Sequence, residues 1–430
     1  MTNLSRRAWL GAAIGTTALS AASSRQPNLL FIVTDGWRGQ VLPFSDHNLK
    51  TPNLARRITE GVCFNRTYTS YAVCCPSRAA MLTGKYPHAA GVRGNHKLLP
   101  LDQPTFSATL KAAGYRTGYI GKWHLDGSTN PGFVPPERRR GFDYWAAYNV
   151  AHQHYDSVYF RDSPTPIRAE GFEADHQTGL AIDFLNQERG KPFLLYLSFV
   201  PPHAPFTPPE QYRRDPAALQ LRNNVPRQVE AAARKDLAGY YGLCEAVDAN
   251  LGRLLRVLDD RGLAGDTIVV FTSDHGHMMG SQGLDSIDMP FEEATRIPLV
   301  IRYPRRIKPR IEEEVLVSNV DYAPTLLSLC GATPPKGAQG INHAPALLGR
   351  GRPSRGAIYA EGAMGQDDEW RMIVSGQHKL VTRADMRPTH LYDLHADHYE
   401  QTNLVHEAAS RRQRDILGES LRQWMIRTAS

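Results

Sequence analysis

Cysteine is scarce in this chain. Five occur in 430 residues, Cys63, Cys74, Cys75, Cys244 and Cys330, an odd number with no metal-finger spacing. That excludes a disulfide scaffold and a structural zinc module. Long apolar runs are also missing. None approaches the roughly 20 residues that a membrane-spanning helix needs, so no stable membrane span is expected. No periodic repeat or low-complexity tract interrupts the sequence, which excludes solenoid architectures. Acidic residues are outnumbered, 43 against 50 basic ones, for a formal charge of +7. A basic surface attracts acidic ligands, but no nucleic-acid motif accompanies it, and no nucleic-acid partner is expected.

What is present is enough apolar material for a large core, 41% of the residues. Helical and strand-like segments alternate, which predicts an α/β fold. The first residues read differently. Ser5-Arg6-Arg7-Ala8-Trp9-Leu10 leads into a mildly apolar run, Gly11 to Leu19, with small residues around Ser20 to Ser23. Paired arginines before a weak apolar region predict a twin-arginine export signal over residues 1–24. Its removal takes away Arg6 and Arg7, leaving +5 by the same count. The partner implied is the twin-arginine translocase, and the location is periplasmic or secreted.

Asn28 to Val33 is a continuous apolar run, as a buried parallel strand requires. It ends at Thr34-Asp35. Thr105 to Ala113 reads as a helix closed by Gly114, and Tyr115 to Ile120 as a strand delivering Gly121-Lys122-Trp123-His124. Phe193 to Val200 is a further strand, running into Pro201-Pro202-His203-Ala204-Pro205. Asp236 to Leu258 reads as a long helix. Thr267 to Thr272 is a strand delivering Ser273-Asp274-His275-Gly276, and Ile297 to Tyr303 is one more. Four strand ends thus carry Asp35, Lys122 with His124, His203, and Asp274 with His275. In a parallel sheet those ends share one edge, where ligands bind. From about Gly356 short strand-like pieces follow, Ala357 to Glu361, Arg371 to Ser375, Lys379 to Thr382 and Leu391 to Leu394. A terminal helix near Ala408 to Ile426 completes a small antiparallel unit.

Cys74-Cys75-Pro76-Ser77-Arg78, followed by Leu82-Thr83-Gly84, resembles the formylglycine signature of type I sulfatases, within the alkaline-phosphatase-like superfamily. The resemblance covers nearly the whole mature chain. Its landmarks stand in order: Thr34-Asp35, Thr51-Pro52-Asn53-Leu54, the cysteine motif, Gly121-Lys122-Trp123-His124-Leu125, Pro202-His203-Ala204-Pro205, Asp274-His275-Gly276, Glu292-Glu293 before Arg296-Ile297-Pro298, and Leu391-Tyr392-Asp393-Leu394.

The resemblance implies a large mixed, mostly parallel sheet flanked by helices over residues 25–355. A smaller C-terminal antiparallel sheet with a helix would occupy 356–430. It implies an exported sulfuric ester hydrolase acting on a sulfated small molecule or glycan. A cytoplasmic formylglycine-generating enzyme would oxidise Cys74 to an aldehyde, whose hydrate attacks sulfur and later expels sulfate. Arg78 would stabilise that hydrate. Asp35, Cys74, Asp274 and His275 would bind Ca2+ or another divalent cation. Lys122 would hold sulfate oxygens, His124 would take a proton when the sulfated intermediate collapses, and His203 would protonate the leaving alcohol. His152 and His154 would reach toward substrate.

Two positions depart from the family pattern. Gly36 stands where a second Asp, or a Gln, is usual, and Ile287 where a lysine is usual. Related enzymes of the superfamily cleave phosphonate or phosphate esters, and some carry a single acid at the first metal position. That leaves two alternatives: such an ester hydrolase, or a catalytically impaired binder of sulfated ligands.

Overall fold

The computed structural model describes residues 26–127, 132–187, 190–351 and 355–429. The expected export signal therefore lies outside the described residues. The main strands are β1 (Asn28–Asp35), β2 (Val62–Tyr68), β3 (Arg116–Lys122) and β4 (Tyr144–Tyr148). A short hairpin, β5 (Val158–Tyr159) and β6 (Ile167–Arg168), stands apart. β7 (Phe193–Pro202), β8 (Thr267–Ser273), β9 (Arg296–Ile297), β10 (Leu299–Arg302) and β11 (Arg310–Ser318) complete the large sheet. Its order is β11-β2-β10-β8-β1-β7-β3-β4, with β9 paired to β2. The central strands β8, β1, β7, β3 and β4 run parallel. β10 runs antiparallel to both β8 and β2, which makes the sheet mixed.

β1 is buried along its whole length. Alternate side chains enter opposite layers, as the two-residue period of a strand dictates. Leu30 and Ile32 pack with α1 (Pro52–Glu60), α4 (Glu173–Asn186) and α5 (Glu230–Asp260). Leu29, Phe31 and Val33 pack with α2 (Cys74–Thr83), α3 (Phe106–Ala112) and the helix Tyr322–Leu329. Both faces being covered explains why these strands read as unbroken apolar runs.

A second sheet is antiparallel throughout: β12 (Ile358–Gly362), β13 (Trp370–Ser375), β14 (His378–Arg383) and β15 (Pro388–Asp393). The helix Arg411–Thr428 lays Leu417, Leu421 and Trp424 against Ile373, Leu380 and Leu391. No helix among the described residues is long and apolar enough to cross a membrane.

Candidate active site

The four polar strand ends meet. β1, β3, β7 and β8 are neighbours in the order β8-β1-β7-β3 and all point the same way, so their C-terminal ends form one rim. Asp35 closes β1, Lys122 closes β3, His203 follows β7, and Asp274 and His275 follow β8. The β1 and β8 ends are tied together: Asp274 N donates to Thr34 O at 3.0 Å and Gly36 N to Asp274 Oδ1 at 3.2 Å. Gly36 has φ +83° and turns the chain out of the strand, a conformation glycine adopts without penalty.

Gly121, at φ +100°, brings β3 unusually close to β7. A Cβ there would stand 2.0 Å from Ser198 O. The next residue, Lys122, thereby places its carbonyl on Ser198 Oγ at 2.8 Å and on Arg78 Nη1 at 3.0 Å.

Cys74 is the first residue of α2, whose amino end faces the rim. Asn95 Oδ1 accepts the Cys75 N–H at 3.0 Å, satisfying one of the amides a helix start leaves open. Four residues on, Arg78 lies beside Cys74 on the same helix face and is 1% exposed. Its guanidinium is fully engaged: Nε donates to Asp274 Oδ2 at 3.0 Å, Nη1 to Ser198 Oγ at 2.6 Å, and Nη2 to Asp35 Oδ2 at 3.2 Å.

Around Cys74 Sγ stand His275 Nε2 at 3.3 Å, Lys122 Nζ at 3.5 Å and Asp35 Oδ1 at 3.6 Å. Lys122 Nζ also donates to Asp35 Oδ2 at 2.6 Å and to His152 Nε2 at 2.8 Å. Burial disfavours the Asp35 charge, but Lys122 and its cationic neighbours outweigh it and hold the carboxyl well below the usual range. Lys122 is likewise raised: burial opposes its charge and Asp35 restores it. Burial, then Lys122, pushes His152 down to about 2.

One ligand atom each from Asp35, Cys74, Asp274 and His275 fits within 4.8 Å of the others. His275 Nδ1 lies 2.7 Å from Gly276 O. A carbonyl only accepts, so Nδ1 holds the proton and Nε2 faces the acids, as in metal-binding histidines. Burial opposes charge on this ring, yet Asp274, Cys74 and Asp35 raise its pKa to about 10. Two carboxylates, the side chain at position 74 and an imidazole nitrogen facing them are donors that fit a divalent cation. Gly36 contributes no side-chain oxygen to it.

The remaining predicted residues surround this centre. His203 stacks on His152, with centroids 4.1 Å apart and planes 10° from parallel. Its Nδ1 donates to Ala204 O at 2.7 Å, leaving Nε2 to face outward from that bond. His154 is a support for His203: its Nε2 lies 2.8 Å from the His203 carbonyl. His124 is 1% exposed and faces His96, with Nε2 and Nδ1 3.2 Å apart. Burial, then Lys122, pushes its pKa far down. Ile287 sits in a partly buried stretch beside Asp288, whose carboxylate accepts Ala363 N at 3.0 Å.

Three participants, Ser198, Asn319 and His96, had no motif to announce them. Ser198 is a hydroxyl inside an otherwise apolar strand, and that interruption is its one signal. Ser77 Oγ donates to Asp274 O at 2.6 Å, and Asn319 Nδ2 reaches Ser77 Oγ at 3.0 Å. His96 approaches His124 across a loop with no periodicity to predict it.

Comparison with known proteins finds relatives along most of the chain. The Sulfatase family model matches residues 27–332. A second, described as N-sulphoglucosamine sulphohydrolase, C-terminal, matches residues 282–427. An ulvan-active sulfatase of Formosa agariphila is 34% identical over 88% of this chain and 77% of its own length. A solved structure in complex with its substrate D-glucosamine-2-N,6-O-disulfate superposes with a TM-score of 0.83 at 26% identity, covering 94% of this chain and 98% of that one. The phosphonate monoester hydrolase of Agrobacterium radiobacter gives a TM-score of 0.78 at 25% identity, covering 94% and 96%. The rim of four parallel strands, the cysteine at the helix start and the matched length of chain lead to one conclusion: this chain belongs to the sulfatase family of enzymes.

Proposed function

We propose that this sulfatase is exported and hydrolyses sulfate esters on sulfated glycans, using a formylglycine made from Cys74. The observation that carries this reading is the convergence of Asp35, Lys122 and His275 on Cys74 Sγ, with Arg78 locked behind them. The glycan class rests on the ulvan-active relative and the disulfated glucosamine complex. Residues 1–24 serve the twin-arginine translocase, and a cytoplasmic formylglycine-generating enzyme acts on Cys74.

Asp35, Asp274, His275 and position 74 would hold the divalent cation. Together, formylglycine and cation supply an attacking oxygen and a polarised ester. The protein's own groups do the rest. Lys122 puts a desolvated positive charge beside position 74, where it holds a sulfate oxygen. Its partner Asp35 prevents it from drifting toward solvent. Arg78 is oriented by two carboxylates and Ser198, so it presents a fixed charge to a developing anion, the preorganised kind that is strongest in a dry site. His203 Nε2 delivers the proton to the departing alcohol, with its Nδ1 anchored on Ala204. His124 keeps a neutral ring, and its Nδ1 is buried with no partner among the described residues. That nitrogen is the one left open to take a proton when sulfate is released.

Mass spectrometry of protein from its native host should show the aldehyde mass at position 74. An unmodified thiol there in mature protein sinks the proposal. Cys74→Ser should fold and lose turnover, whereas Cys75→Ser should change activity less than about twofold, because the Cys75 thiol donates to Lys97 O and lies within the adjoining core. Matched aryl sulfate and aryl phosphonate esters, assayed side by side, decide the ester class. Preference for the phosphonate would replace the sulfate reading with that of a phosphonate hydrolase.

A further inference from the structure

A cavity of about 190 Å³ lies between the small sheet and the loop that follows α2, lined by Arg93, Arg371, His88, Glu361, Met364 and Met425. Arg371 is its most telling residue. It is 8% exposed, and two of its guanidinium nitrogens, Nε and Nη1, are buried with no partner among the described residues. The third, Nη2, pairs with Glu369 at 2.6 Å. Glu361 stands directly opposite Arg371 in the register of β12 and β13, yet it does not complete the pairing. Both its carboxylate oxygens are taken by His88 Nδ1, at 3.0 and 2.9 Å. The other His88 nitrogen lies 3.0 Å from Thr428 O. Arg93 is exposed and, among the described residues, has no ion-pair partner. The cavity therefore combines an exposed cation with a buried one that has two nitrogens unmet among the described residues. Unmet buried donors are costly, and a guanidinium suits planar or tetrahedral oxyanions.

Short stretches of chain connect the walls of the cavity to the reaction centre. Arg93 is two residues before Asn95, which holds the Cys75 amide, and three before His96, which faces His124. On the other wall, Glu361 N donates to Ser70 O at 3.0 Å and Met364 N to Tyr71 OH at 3.1 Å, within the connection that leads into Cys74.

We propose that the cavity between Arg371 and Arg93 is a second oxyanion position, taking a sulfate or carboxylate group of the substrate other than the one being cleaved. This assignment to substrate rests on the glycan sulfatase reading. The binding of an oxyanion there does not.

The test uses calorimetry on the full, calcium-loaded chain carrying Cys74→Ala, which binds without turnover. The probes are inorganic sulfate, a singly sulfated tetrasaccharide and a multiply sulfated one of the same backbone. Arg371→Met and Arg93→Ala are each introduced; Arg93 is exposed, so its variant keeps the core intact. Each should weaken the multiply sulfated sugar roughly tenfold or more and leave the singly sulfated one within about twofold. Inorganic sulfate should lose one binding equivalent in Arg371→Met. Equal effects on both sugars, or none on either, overturn the proposal. Loss of a sulfate equivalent with unchanged binding of both sugars means that the cavity takes a free anion, which overturns the substrate assignment. If neither sugar binds while that equivalent is still lost, the glycan reading fails and the oxyanion position stands.

Discussion

Gly36 and Glu173 show how much a single side chain can decide at this site. Gly36 occupies a left-handed conformation, so any replacement is strained by roughly 1–2 kcal/mol. Space is not the obstacle: a Cβ there would meet nothing nearer than His203 Cα at 3.9 Å. Gly36→Asp should lower stability by about 1 kcal/mol in urea unfolding. It should also tighten calcium binding, read by calorimetry, because it adds a carboxylate next to Asp35. Unchanged affinity would mean that the turn directs the new side chain away.

Glu173 opens α4 and is 1% exposed. Burial raises its pKa from 4.5 to about 8, against the opposing pull of Tyr148 and Lys122. The folded chain keeps this proton between those two values while the unfolded chain has released it. The stabilising contribution is therefore complete below about pH 4.5 and declines as pH rises through about 8. Glu173→Gln cannot ionise. Its unfolding free energy in urea should match wild type at low pH and exceed it at pH 9, by on the order of a few kcal/mol. Parallel profiles for the two proteins would refute the shift.

At the scale of the element, strand ends carried most of the legible information. Asp35, Lys122, His203 and Asp274 each terminate or follow an apolar run, and apolar runs mark buried parallel strands before any pairing is known. Direction was not legible. Leu299–Arg302 has the same apolar texture as its parallel neighbours, and only its pairing with β8 and β2 reverses it. Nor could sequence show how tightly two strands approach. Gly121 reads as an ordinary glycine before a motif, yet it lets Lys122 sit where Arg78 and Ser198 grip its carbonyl. Gly121→Ala places a methyl against Ser198 O, so β3 must shift. A loss of about 3 kcal/mol is expected in thermal unfolding, with activity falling further than stability because Lys122 moves with the strand. Wild-type turnover in a folded Gly121→Ala protein would show that the close approach is dispensable.

At the scale of the molecule, the two sheets are joined by charge as well as by apolar packing. Lys379, on β14, is fully buried between Glu292 Oε1 at 3.0 Å and Glu400 Oε1 at 2.7 Å. Tyr68 OH donates to Glu292 Oε2 at 3.1 Å, and Glu400 Oε2 accepts the Glu292 amide at 2.7 Å. Burial raises the Glu400 pKa to about 7 despite Lys379. Removing the lysine would strand two carboxylates in the interior. Lys379→Met should cost roughly 3–5 kcal/mol, measured by chemical unfolding. A cost below about 1 kcal/mol would mean that the contact is incidental. Sequence reading anticipated the small sheet and its helix from short strand-like pieces and a terminal helical stretch. It could not anticipate this bridge, since Glu292, Lys379 and Glu400 share no motif and meet only after both sheets have formed.

The closure of the molecule over Cys74 also sets an order of events. The thiol is 1% exposed, enclosed by β1, β3, β8 and its own helix. If Cys74 is oxidised by another protein, as proposed above, that protein has to arrive while the chain is still open. The finished fold would then preserve whichever chemical state it captured, and a molecule that folded too early would stay inert for its lifetime.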